Sequence, residues 1–205
     1  MPVPYGSQRS PTAQWTATAA GCTILRSSGS GPYITHVTCG KVVDKGITDA
    51  NNMGAAMAPA AYDTLSAFFR DTGTRPDDYD LILTGDLGEL GHRIVLDLFA
   101  QQGVELGNRY QDCGLLLYDR ERQDMHAGAS GCGCSASVLN GYLLTEMRRG
   151  KWKNILFAPP GPLETDSICS YGGTALPDLQ FSGRIHSRRV PCTLFSGLSS
   201  NLLGR

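Results

Sequence analysis

Two short stretches of this 205-residue chain hold most of the side chains that could do chemistry. The first, TGDLGELG at residues 84–91, places one carboxylate, Asp86, directly after an apolar run. The second, HAGASGCGCSAS at residues 126–137, strings His126, Ser130 and Cys132 among glycines and alanines. A loop of such small residues ahead of a helix leaves backbone N–H groups accessible to an anion or a carbonyl oxygen. Small residues serve close helix packing equally well. Asp86 reads either as a carboxylate lining a pocket or as a cap for the turn after it. His126 could bind a dianion when protonated, or be an ordinary hydrogen-bonded histidine.

The remaining reactive side chains give weaker signals. The chain has seven cysteines, an odd number, and a chain of this length needs no disulfide framework, so reduced thiols are expected. Cys132 and Cys134 form Cys-Gly-Cys, which is not the Cys-x-x-Cys of zinc ribbons or thioredoxin-like motifs. They read as a buried, apolar-behaving pair. Cys113 and Cys132 could approach each other. His36, His92 and His186 show no metal-ligand spacing, so neither a metal nor a cofactor is expected. Asp77 and Asp78 beside Pro76, and the region of Arg120 and Arg122, read as solvated turns.

These loops need elements to position them. In open α/β sheets, ligands bind at the carboxyl ends of strands. Leu81–Thr84 is a short continuous apolar run of the kind buried in a parallel sheet. Strands are also expected at residues 21–25, 33–39, 114–118 and 154–158. A helix is expected over residues 57–70, with Ala61, Leu65, Phe68 and Phe69 on one face and Pro59 in its first turn. A second turns Ile94, Val95, Leu98 and Phe99 inward and stops at Gly103. A third, over residues 135–149, carries Val138, Leu139, Tyr142, Leu143 and Met147 on one stripe. Alternating strands and helices argue for an α/β layered sheet.

Composition narrows the function classes. Hydrophobic residues at 41% suffice for a core, while a net charge of −1 and a pI near 6.4 give no basis for nucleic-acid binding. No run of 18 apolar residues offers a spanning helix, and MPVPYGSQRS lacks the regions of a secretory signal. Beyond Gly161, proline, glycine and serine interrupt every apolar cluster.

The strings DANNMGAAMAPAA, DYDLILTGDL, DCGLLLYD and HAGASGCGCSASVLNGYLL resemble the stage V sporulation protein AD family of the thiolase-like superfamily. The resemblance runs from about residue 5 to about Gly161 and covers the C-terminal half of that family's chain. It implies one half of a thiolase-like α/β fold over residues 14–161, with a mixed sheet flanked by helices. Residues 1–13 would be an irregular lead-in, and residues 162–205 an aberrant or disordered tail that leaves the sheet without its last strand. A shifted reading frame or a splice near residues 158–161 would account for such a tail. The half carrying the superfamily's nucleophilic cysteine would be absent.

The resemblance also bears on activity. Condensing enzymes of the superfamily place a His at a position matching Gly85 or Asp86, and a His or Asn at one matching Cys132. Neither imidazole nor amide stands there. A carboxylate repels a developing oxyanion and a thiol is a weak donor, so catalysis is not expected. The resemblance implies instead a part in dipicolinic acid binding and uptake into the developing spore, with Asp86, His126, Ser130 and Cys132 as ligand-binding candidates. The partners implied are dipicolinic acid and other SpoVA proteins. The implied location is the cytoplasmic side of the forespore or spore inner membrane, peripheral without spanning, and possibly as a homo-oligomer. An acyltransferase or condensing enzyme is the alternative.

Overall fold

The computed structural model describes residues 10–47, 49 and 52–160, together with the backbone of residues 181–186. Its centre is a five-stranded mixed sheet. In chain order the strands and main helices are β1 (Trp15–Thr16), β2 (Tyr33–Cys39), α1 (Met53–Thr72), β3 (Leu81–Thr84), α2 (Gly88–Gln101), β4 (Tyr110–Asp112), α3 (Cys113–Leu117), β5 (Ala129–Ser130), α4 (Cys132–Val138), α5 (Leu144–Arg148), β6 (Asn154–Ala158) and β7 (Phe181–His186). The large sheet runs β2-β7-β6-β3-β4, and β1 pairs separately with β5. β3 lies parallel to β4 and β6, whereas β7 is antiparallel to β6 and β2.

β3 is buried along its whole length because both faces of the sheet are covered. Ile82, Tyr110 and Leu156 pack with Leu65, Phe68, Val95 and Phe99 from α1 and α2. Leu81, Leu83 and Ile155 pack on the opposite face with Cys113, Cys134, Val138, Leu143 and Met147. The expected stripe of α1 is intact, with Ala61, Leu65, Phe68 and Phe69 all buried. That helix starts at Met53, earlier than its periodicity predicts, because Asn52 accepts the Ala55 N–H at 3.3 Å as an N-cap. Pro59 therefore lies inside the helix.

Four other expectations are corrected. Residues 114–118 are not a strand: the strand is Tyr110–Asp112, and the apolar run after it forms α3, started by the Asp112 carboxylate accepting the Gly114 N–H at 3.0 Å. A short apolar run does not separate a buried strand from a buried helix. Residues 21–25 form no strand, and Ile24 and Leu25 are exposed. The third helix begins at Cys132 and contains a π turn, Leu139–Leu143. Its extra residue breaks the stripe: Val138, Leu143 and Met147 stay buried, while Tyr142 turns out against Trp152 at 5.5 Å between ring centroids.

The fourth correction concerns the last strand. β7 lies within the segment expected to be irregular and is inserted between β6 and β2, so the sheet does not lack it. In FSGRIH the glycine interrupts the alternation of apolar residues that would have marked a strand. Residues 1–9 of the expected lead-in, and 161–180 and 187–205 of the expected tail, lie outside the described residues.

Candidate functional site

Parallel pairing of β3 and β4 puts Thr84 opposite Asp112 at their carboxyl ends. Asp112 is fully buried there. Its Oδ2 accepts the Thr84 hydroxyl at 2.7 Å and the Leu87 N–H at 3.0 Å. Its Oδ1 accepts the N–H groups of Gly88 at 3.1 Å and Gly114 at 3.0 Å. The Gly114 N–H also reaches the Gly85 carbonyl at 3.0 Å. A buried carboxylate is tolerated when its lone pairs are satisfied in this way. Burial still pushes its carboxyl above the ordinary value, opposed by those four hydrogen bonds.

Asp86 projects from the same turn and is partly buried. Its Oδ2 accepts the Gly131 N–H at 2.8 Å, from the loop that opens α4. It is therefore not the cap of its own turn: Leu87 is the N-cap residue of α2, and the N–H groups of Leu87 and Gly88 go to the Asp112 carboxylate. Desolvation pushes the Asp86 carboxyl up to about 6; the Gly131 N–H acts against this and the nearby Asp112 charge adds to it.

Two further links hold the loops together. The Gln14 side-chain amide donates to the carbonyls of Asp86 and Ala129, each at 2.9 Å. The Glu89 N–H donates to the Ala127 carbonyl at 3.1 Å. Beside them, Pro159 and Pro160 at the end of β6 press on Gly85 so closely that a Cβ there would run into Pro160. The carboxyl ends of β3, β4 and β6 thus converge on the turn of residues 85–88 that carries Asp86.

The structure divides the four candidate residues. Asp86 meets the Gly131–Cys132 loop through the Gly131 N–H. Cys132 is the exposed first residue of α4, whereas Cys134 is buried with its thiol toward the Gly85 carbonyl at 3.8 Å. The Cys-Gly-Cys pair is thus split rather than buried together, because residues two apart on a helix face different ways. Ser130 is a strand residue opposite Thr16, and its carbonyl accepts the Ala17 N–H at 2.8 Å. His126 stands apart, half-exposed and 3.2 Å from the Asp124 carboxylate.

The buried thiols are poor nucleophiles. Burial, then the Asp86 and Asp112 charges, push the Cys134 thiol up to about 12. Cys113 is also pushed well above its ordinary value, by burial first and then by Asp112, Cys134 and Asp86. Both are held away from the thiolate, which is the reactive form. The neighbour of Cys113 in this cluster is Cys134 rather than Cys132. Among the described residues, no group of His, Cys, Asp and Glu could hold a metal ion. Sequence reasoning missed Asp112. An aspartate before an apolar run carries no mark of its partners 24 to 28 residues upstream.

The profile of the stage V sporulation protein AD family matches residues 1–181, which extends past Gly161 into the segment expected to bear no resemblance. The stage V sporulation protein AD of Bacillus subtilis (strain 168) is 43% identical over 162 residues. That match covers 79% of this chain and 48% of the relative, so the chain spans about half the relative's length. Among solved structures, an acetyl-CoA acetyltransferase from Syntrophomonas wolfei is similar at a TM-score of 0.46 and 10% identity, over 77% of this chain and 32% of the other. Human mitochondrial 3-ketoacyl-CoA thiolase is similar at 0.41 and 15% identity, over 76% and 30%.

Proposed function

The chain belongs to the stage V sporulation protein AD family, and from that premise we propose that it serves dipicolinic acid binding and uptake into the developing spore, without catalysing a reaction. In this reading it supplies one half of a thiolase-like fold and meets dipicolinic acid together with the other half. The loop holding Ser130 and Cys132 faces the ligand, and His126 contributes from the rim. Asp86 belongs to the site by holding that loop through the Gly131 N–H rather than by meeting the ligand's carboxylates. It works with other SpoVA proteins, and with further copies of itself, on the cytoplasmic side of the forespore or spore inner membrane. No helix among the described residues is long and apolar enough to cross a membrane.

The observation that carries the non-catalytic part is the Asp86–Gly131 hydrogen bond. An acyl-transfer site needs donors aimed at a developing oxyanion. Here a carboxylate stands at that strand end and takes up a backbone N–H of the facing loop. The two buried thiols beside it are held protonated, which disfavours covalent catalysis by this half.

The test is a chimera in which this chain replaces the matching half of the Bacillus subtilis relative. Spores carrying it are expected to accumulate dipicolinic acid, and spores carrying its Asp86→Lys variant to accumulate less. A chimera that is present in the spore at normal abundance yet restores no dipicolinic acid would overturn the reading. Acyl-CoA condensation by the purified chimera would favour an acyltransferase instead.

A further inference from the structure

We propose that Asp112 is the positioning residue of this site: its buried carboxylate fixes the turn that carries Asp86, and so aims Asp86 at the Gly131 loop. The inference rests on the reading of Asp86 as part of a ligand site, but its geometry stands independently.

The backbone on both sides of Asp86 is tied to the segment that Asp112 begins. On one side, the Gly85 carbonyl accepts the Gly114 N–H at 3.0 Å. On the other, the Leu87 and Gly88 N–H groups end on the two oxygens of Asp112. Only the residue between these ties is left to reach across the site, and it does so at 2.8 Å. The Thr84 hydroxyl completes the clasp on Oδ2. All four groups are donors, so the site is built for an acceptor-only side chain, which an ionised carboxylate is. Asparagine has nearly the same shape, but its amide nitrogen would turn N–H groups toward two of those donors. The turn would have to give way, and Asp86 with it. Among the described residues the other titratable groups that act on Asp86 or Asp112 are Cys113, Cys134 and Tyr110.

The experiment uses the whole 205-residue chain, with the Gly131 amide proton as the reporter of the Asp86 contact. Its resonance is measured in the parent chain, in Asp86→Asn, in Asp112→Asn and in the double variant, with the Ile155 and Leu156 amides of β6 as internal references. The expected result is that D112N displaces Gly131 in the same direction as D86N while the references stay in place. The double variant should displace it no further, because the two residues act through one contact. A folded D112N with an undisturbed Gly131 resonance overturns the proposal, as does full additivity in the double variant. Should D112N fail to fold, Thr84→Val removes one donor from the clasp without altering charge. It should move Gly131 less but in the same sense, and an unmoved Gly131 in that variant is equally fatal. Dipicolinic acid titrations of the chimera separate the two claims. If it binds, D112N should weaken binding about tenfold or more, because the Gly131 loop that meets the ligand loses the Asp86 contact that holds it. If it does not bind, the functional reading fails while the Gly131 resonance still decides the role of Asp112.

Discussion

Asp86 holds its proton more tightly in the folded chain than in the unfolded one. Between the ordinary value of 3.8 and about 6, the folded state binds more protons, so stability falls as pH rises through that window. The loss is up to about 3 kcal/mol and is complete above the upper limit. Asp86→Asn is expected to remove the Asp86 share of this slope, the buried Asp112 keeping its own, so that the variant matches the parent near pH 3.5 and exceeds it in stability at pH 7.5. Urea unfolding at the two pH values checks it, and a parent chain whose stability is flat across the window would contradict it. A second expectation concerns the five described thiols. Cys22, Cys39 and Cys132 are exposed, while Cys113 and Cys134 are buried and pushed away from the thiolate. Iodoacetamide should label the first three in the folded chain and the last two only after denaturation, as read by peptide mass spectrometry. The carboxylate before the α2 turn was legible in TGDLG, but its role was not. Its partner is a backbone N–H 45 positions away, brought near only by the sheet.

Helices α1 and α2 cross where Gly54 and Gly91 meet backbone to backbone. A Cβ at Gly54 would collide with the Leu87 carbonyl, which belongs to the turn that Asp112 holds. Gly54→Ala should therefore cost about 1–3 kcal/mol through forced separation of the helices, in spite of alanine's better helix propensity. Gly141, in the π turn, has open space where its Cβ would be, so Gly141→Ala should instead gain about 0.5–1 kcal/mol. Thermal melts of the two variants should move in opposite directions. Elements with a sustained period were readable: the α1 stripe follows from Ala61, Leu65, Phe68 and Phe69 alone. Those decided by distant contacts were not. α3 depends on the Asp112 cap, and the outward turn of Tyr142 on one inserted residue. β7 depends on strands from elsewhere in the chain on both its sides.

Several large apolar side chains are short of cover. Ile24, Leu25, Ile34, Val37 and Val42 are all exposed, and among the described residues β2 is an edge strand. Exposed apolar residues beside an open edge favour association. The chain on its own is expected to sediment as oligomers, and Ile34→Lys with Val37→Lys should shift it toward monomer. Sedimentation velocity at several concentrations measures this, and a parent that stays monomeric throughout would refute it. The sheet order also imposes a timetable. β2 is made early by the ribosome, yet among the described residues its neighbour in the sheet is β7, so that Cys39 waits for Phe181. Closing so long a loop comes late and slowly. Throughout synthesis the early strand has α1 to pack on, through His36 against Phe68, but no described strand to pair with, while α1, β3, α2 and β4 can already assemble around their own core. A nascent chain stalled before residue 181 should thus leave β2 open to proteases or chaperones, and its release from them would mark the emergence of β7.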